Sequence, residues 1–158
     1  MRKARTSDLI QILDVERNSF PPGRQATPET LRLRLGLFPE GSFVFVLNNK
    51  VVAFTTALTV REPKSILDLN PADELIHRKD GDSYYLRSLA VRKEFQGRGY
   101  GKELVQKQLE NARKLGKKFF VFTCSEDVEK FYAKLGFKRV GGYVDFHGTK
   151  QSLWKKRL

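Results

Sequence analysis

Apolar residues recur at helical spacing in four stretches of the chain and cluster as strand-like runs between them. Ala4 opens a short first strand. Thr6 and Ser7 are candidate N-caps, Asp8 suits a first turn, and Leu9, Ile12 and Leu13 give a helical stripe that fades near Phe20. Pro21-Pro22-Gly23 breaks the chain, and Thr27-Pro28-Glu29 restarts a helix with a cap, a proline at the first position and an acid. Leu31, Leu35 and Phe38 continue that face, while Leu33 and Leu37 blur it with a period of two. Residues 42–47 (SFVFVL) and 51–58 (VVAFTTAL) read as a β-hairpin turned at Asn48-Asn49. Residues 61–82 are an irregular polar excursion holding Pro63, Pro71 and Gly81. A short helix is expected there, with Asn70 as cap, Pro71 first and Asp73 reaching back.

Residues 84–91 are the central strand, apolar and rich in aromatics. A turn with Gly97, Gly99 and Gly101 leads into a helix whose stripe is Leu104, Val105, Gln108, Leu109, Ala112 and Leu115. Residues 119–123 form the next strand. Ser125 then caps a helix with Glu126, Asp127 and Glu129 in its first turn, and Val128, Phe131, Tyr132 and Leu135 mark its expected buried face. Gly136 ends it. Residues 137–140 and 149–154 are the last strands, with Gly141-Gly142 loosening the first. The order β-α-α-β-β-excursion-β-α-β-α-β-β predicts one domain over 1–158 with a mixed α/β sheet.

Composition narrows the setting. At 158 residues and 40% hydrophobic content, the chain suits one domain with a real core. No apolar run is long enough to cross a bilayer, and the N-terminus lacks the apolar middle of a signal peptide. The one cysteine, Cys124, cannot form an intramolecular disulfide, so a reducing, cytoplasmic setting is expected. Cys124 is read as a buried structural residue rather than a nucleophile. Net charge is +12, from 30 Lys+Arg against 18 Asp+Glu. Those cations are scattered, and no reading element for nucleic acid accompanies them, so a solvated basic surface is expected and nucleic acid is not. No ligand cluster supports a metal.

The chemistry gathers at the glycine turn. A strand, a glycine-rich turn and a helix N-terminus present free backbone N–H groups at the positive end of a helix dipole, which suits a phosphate or pyrophosphate. A P-loop fails because Glu103 follows Lys102, and a dinucleotide fingerprint fails because the spacing is GxGxG. Gln96, Gly99 and Gly101 match Q/R-x-x-G-x-G/A, and a turn with no ligand stays open beside that match. The motif resembles the acetyl-CoA pyrophosphate loop of the GCN5-related N-acetyltransferases, the GNAT superfamily. Phe131-Tyr132-Ala133-Lys134-Leu135-Gly136-Phe137 matches that superfamily's FYxxxGF. Four stretches are similar to the arylalkylamine (serotonin) N-acetyltransferases: residues 16–20 (ERNSF), 38–42 (FPEGS), 86–91 (LRSLAV) and 124–127 (CSED).

The resemblance implies a mixed, largely antiparallel central sheet flanked by helices. It implies direct acetyl transfer from acetyl-CoA, as co-substrate and without metal, to a primary amine, either a small (arylalkyl)amine or a protein N-terminus, in a monomer or homodimer. A CoA- or RNA-binding module without turnover is the alternative. By resemblance, Leu89, Ala90 and Val91 align the thioester arm, and Gln96, Gly97, Arg98, Gly99, Tyr100, Gly101 and Lys102 hold the diphosphate. Tyr132 is the implied acid that protonates the departing thiolate. The family histidines of the serotonin-acetylating group fall here on Tyr85 and Arg87, neither a good base at neutral pH. Water, Asp82, Glu74 or His77 are the candidates for that role, with His147 behind them, and an amine that arrives neutral is the remaining alternative.

Overall fold

A computed structural model describes residues 1–146 and 148–158; the candidate His147 lies outside the described residues. The described strands are β1 (Arg2–Lys3), β2 (Phe43–Leu47), β3 (Lys50–Val60), β4 (Ser83–Val91), β5 (Phe119–Ser125), β6 (Lys138–Phe146) and β7 (Thr149–Arg157). The helices are α1 (Leu9–Ser19), α2 (Pro28–Leu37), α3 (Asp73–Ile76), α4 (Tyr100–Lys114) and α5 (Glu129–Lys134). The described strands make one seven-stranded, mostly antiparallel sheet in the order β1-β2-β3-β4-β5-β7-β6, with β4 and β5 parallel. The sequence-predicted class and element order therefore hold. Two compact units divide the chain, Met1–Leu58 with Leu86–Asn111 and Thr59–Tyr85 with Ala112–Leu158.

In the first unit the β2–β3 hairpin turns on Asn48 and Asn49, both left-handed at φ 48° and 62°, a conformation asparagine tolerates better than most residues. Val51–Leu58 is buried throughout, Thr55 and Thr56 included, so this part of β3 reads as a buried, mostly apolar run rather than an alternation. Val44, Val51 and Phe54 pack with Leu9, Ile12 and Val15 of α1 and Leu31 and Leu35 of α2. Phe43 and Ala53 pack with Leu104 of α4. Adjacent strand residues thus serve different clusters, as the period of two requires. Burial of such a set drives the packing, at about 25 cal/mol per Å² of apolar surface.

In the second unit β5 pairs with β7 from Phe119↔Arg157 to Ser125↔Gln151, and β7 pairs onward with β6. Gly81 lies against β3, where an added Cβ would fall 2.4 Å from the Val60 carbonyl oxygen. Lys117 Nζ donates to the Gly81 carbonyl at 2.6 Å and fixes the end of the excursion.

Several local expectations need correction. The first strand is Arg2–Lys3 and stops short of Ala4. Thr6 and Ser7 lie inside a 3-10 turn, and Asp8 does the capping by accepting the Arg5 N–H at 2.7 Å. The excursion has two turns rather than one helix. A 3-10 turn, Ile66–Leu69, is capped by Ser65, and Asn70 closes it; α3 starts only at Asp73, behind Ala72. Ser125 donates its hydroxyl to the Asp127 carboxylate instead of accepting a backbone amide. Of the expected buried face of α5, Tyr132 is buried but Val128 and Phe131 are exposed, because the helix proper begins a turn later than the stripe assumed. By contrast, the Thr27 cap accepts the Thr30 N–H at 3.1 Å ahead of Pro28, as the sequence requires. The last two strands run longer than expected, Gly141 (φ 74°) sitting in the irregular stretch of β6 between Val140 and Val144.

Candidate functional site

The turn after β4 is built from backbone constraints. Phe95 N–H donates to the Arg92 carbonyl (2.9 Å) and Gln96 N–H to that of Lys93 (3.2 Å), closing a 3-10 turn. Gly97 and Gly99 follow with φ of 76° and 92°, conformations that L side chains rarely adopt, and nothing lies within 4 Å of where their Cβ atoms would be. α4 begins with Glu103 N–H bonding the Gly99 carbonyl at 3.0 Å. The amides of Tyr100, Gly101 and Lys102 therefore precede the helix's own ladder, at its positive end. Gln96, Gly97, Arg98, Gly99 and Lys102 are exposed, and Tyr100 and Gly101 are half-buried. The Arg98 guanidinium lies 5.2 Å from the Phe95 ring centre, and the Tyr100 ring packs 4.5 Å from Phe45.

Side chains hold this turn against β4. Gln96 Nε2 donates to the Val91 carbonyl at 2.9 Å, and Ser19 Oγ of α1 donates to the same oxygen at 3.1 Å. Arg92, buried, donates from Nε to the Val51 carbonyl at 3.0 Å and forms an ion pair with Asp14. Leu89 and Val91 are half-buried and Ala90 is buried. The Ser88 carbonyl accepts Thr55 Oγ1 at 2.8 Å. Gln108, fully buried on the apolar face of α4, donates to the Gly41 carbonyl at 2.8 Å and to Thr55 Oγ1 at 3.2 Å, which explains a polar residue at a core position.

A buried polar group that sequence reasoning assigned no role stands beside the same strand. Glu16 of α1 and Arg34 of α2 are 3% and 5% exposed. Glu16 Oε1 accepts the Ala26 N–H at 2.8 Å, and Arg34 Nη1 donates to Ser88 Oγ at 3.0 Å. Burial raises the Glu16 carboxyl above its ordinary pKa, against the Ala26 amide and the charges of Arg34 and Arg87. The signal was present: each charge interrupts an apolar stripe at helical spacing, Glu16 after Ile12 and Arg34 after Leu31.

In the second unit Tyr132 packs on Phe122, ring centres 4.1 Å apart, and edge-on to Phe131 and Phe137. Burial raises the phenol well above its usual value, so it is protonated at neutral pH. Cys124 is buried, and burial with the charges of Glu129 and Asp127 pushes its thiol up to about 12. That excludes a thiolate nucleophile at neutral pH. His77 closes α3, half-buried, and burial lowers its pKa so the ring is neutral at pH 7. Asp82 accepts Ser83 Oγ at 3.1 Å, and Glu74 is exposed. Tyr85 is buried and Arg87 half-buried on β4. Among the described residues, no group of three or more His, Cys, Asp or Glu is placed to hold a metal, and no helix is long and apolar enough to cross a membrane.

The family model for "Acetyltransferase (GNAT) family" matches residues 9–137. No curated protein matches the chain. Among solved structures, the loading GNATL domain of CurA from Lyngbya majuscula superposes with a TM-score of 0.86 at 16% identity, covering 99% of this chain and 96% of that one. The ribosomal-protein-S18-alanine N-acetyltransferase from Escherichia coli gives 0.71 at 17% identity, over 99% and 91% of the two chains. Naa50 of Arabidopsis thaliana, in complex with the bisubstrate analogue CoA-Ac-MVNAL, gives 0.73 at 18% identity, over 99% and 97%. At these identities the likeness establishes the fold.

Proposed function

The chain belongs to the acetyltransferase (GNAT) family, and from that premise we propose that it is one 1–158 domain that moves an acetyl group from acetyl-CoA directly to a primary amine. The observation that carries this reading is the turn before α4: two left-handed glycines, open space outside them, and amides that precede the helix ladder. The turn fits a diphosphate because a Cβ at either glycine would stand where an anion must approach.

In this reading Gln96, Gly97, Arg98, Gly99, Tyr100, Gly101 and Lys102 hold the diphosphate. The amides donate, and Arg98 and Lys102 add charge. Gln96 works indirectly, its side chain fastening the turn to the Val91 carbonyl. The backbone of Leu89, Ala90 and Val91 orients the thioester arm. When bound, acetyl-CoA supplies an acetyl group activated as a thioester. The chain's own contribution is orientation, donors for developing charge, and a route for protons. Tyr132 donates the proton that the departing sulfur requires. Its burial keeps that proton in place at neutral pH.

A small amine is the leading substrate class, with an arylalkylamine as its narrowest form. Tyr85 and Arg87, where that subgroup carries histidines, weigh against the narrow form. A peptide N-terminus is the second class, favoured by the two structural neighbours whose names specify acetylation of an alanine of ribosomal protein S18 and a peptide-bearing bisubstrate analogue. Calorimetry with acetyl-CoA, followed by thiol release against an amine panel and a panel of N-terminal peptides, tests the proposal. Saturable binding with release in one panel is the expected result. No heat on titration with acetyl-CoA would remove it.

A further inference from the structure

Resting on the acetyl-transfer reading above, we propose that Glu16 Oε2 is the proton acceptor for the attacking amine. The starting observation is an unmet requirement. Buried carboxylate oxygens are paired because leaving one bare costs the desolvation of a charged group. Glu16 is 3% exposed, and its Oε1 accepts the Ala26 N–H. Its Oε2 is buried with no hydrogen-bond partner among the described residues. A carboxylate kept only to anchor the α1–α2 connection would need the first oxygen alone, and a neutral glutamine would serve as well.

Position gives the bare oxygen a use. Ser19, three residues on from Glu16 along α1, donates to the Val91 carbonyl at 3.1 Å. Arg34, whose charge reaches Glu16 from α2, donates to Ser88 Oγ at 3.0 Å. These two bonds tie the surroundings of Glu16 to β4 at residue 88, just before the backbone assigned to the thioester arm, and at residue 91, its last member. The charged groups acting on the carboxylate are Arg34 from α2 and Arg87 from β4, and both favour its ionised form. Burial opposes them and outweighs them, so the group holds a proton more readily than an exposed glutamate. A base tuned upward in this way is better matched to work near neutral pH. The amine reaches Oε2 directly or through one water.

The step balances. The nitrogen lone pair forms the N–C bond, and the C–S bonding pair leaves on sulfur. The proton lost by nitrogen passes to Oε2 and on to solvent, and sulfur takes its proton from the donor assigned above. The products are an amide and a free thiol.

The test is Glu16→Gln, whose amide oxygen keeps the Ala26 anchor but cannot take the proton. Acetyl-CoA affinity by calorimetry is expected to stay within about twofold, while kcat falls about 100-fold or more and the acidic limb of the pH–rate profile disappears. Glu16→Ala should regain part of the rate with added formate. Independently of turnover, carbon-13 NMR of glutamate-labelled protein should show one carboxyl titrating above the ordinary value of about 4.3 and missing from Glu16→Gln. A Glu16→Gln rate equal to wild type, or a Glu16 carboxyl titrating at or below the ordinary value, overturns this role alone. A wild-type enzyme that turns over no amine or peptide removes the acetyl-transfer reading and this role together.

Discussion

In the proposed reading, Tyr132 serves packing and chemistry together. Its ring fills an aromatic cluster with Phe122 and Phe137, and burial holds its phenol protonated. Phenylalanine keeps the ring contacts and deletes only the donor. Tyr132→Phe is therefore expected to lower kcat by about 100-fold with little change in acetyl-CoA affinity, read from steady-state kinetics beside calorimetry. An unchanged kcat would leave Tyr132 as core. Glu16 makes a separate prediction about stability. A carboxyl whose pKa is raised by folding binds its proton more tightly when folded. Its favourable contribution is present below the unfolded pKa and is lost as pH rises through the folded one. At pH 7 burial makes the ionisation of this carboxyl costly, so Glu16→Gln should melt at a higher temperature than wild type, and the gain should shrink toward pH 4. A lower Tm at pH 7 would mean that ion pairing outweighs burial there. Cys124 is the inert case: with its thiol pushed up to about 12, it should resist iodoacetamide in the native protein at pH 8 and react on unfolding.

At the scale of elements, the turn before α4 works through backbone shape. Gly99 holds φ at 92° with open space around it, so a methyl group there clashes with nothing and is penalised by conformation alone. Gly99→Ala should cost about 1 kcal/mol of stability and weaken acetyl-CoA binding several-fold as the amides turn away, measured by thermal melts and calorimetry. Equal affinity would show that the turn does not hold the diphosphate. This turn was legible in the sequence because three glycines in five residues admit few other structures. The hairpin was legible too, since Asn48-Asn49 is turn chemistry between two apolar runs. The caps were less so. Asp8 and Ser65 won over Thr6, Ser7 and Asn70 because competing side chains stand within a few residues of each helix start, and spacing alone does not rank them. The face of α5 was misjudged because a 3-10 turn, Glu126–Val128, displaces the start of its helical period. Glu16 and Arg34 were hidden by being charges in apolar stripes, where the pattern states only that a core position is occupied by something unusual.

For the whole molecule, the excess of positive charge is the property most open to misreading. A net +12 suggests a polyanion partner. Five of the 30 Lys and Arg residues, for example, are engaged in the fold. Lys117 Nζ donates to the Gly81 and Lys79 carbonyls at 2.6 and 3.3 Å, Lys156 Nζ to the Leu135 carbonyl at 2.8 Å, and Lys155 pairs with Glu62 over the face of Phe119. Arg92 is buried against Asp14, and Arg2 grips Asp8 through both guanidinium nitrogens at 2.7 Å. Cations spent in this way cannot each neutralise a phosphate, so the surface should act as a diffuse field rather than a groove. Fluorescence anisotropy with a labelled single-stranded RNA should then give binding weaker than about 1 µM at physiological salt, indifferent to sequence, and falling steeply between 50 and 200 mM salt as counterion release requires. Binding that is tight, sequence-selective and retained at the higher salt would mean that free cations line a real nucleic-acid site, and would move the reading of this protein toward an RNA-binding member of its fold.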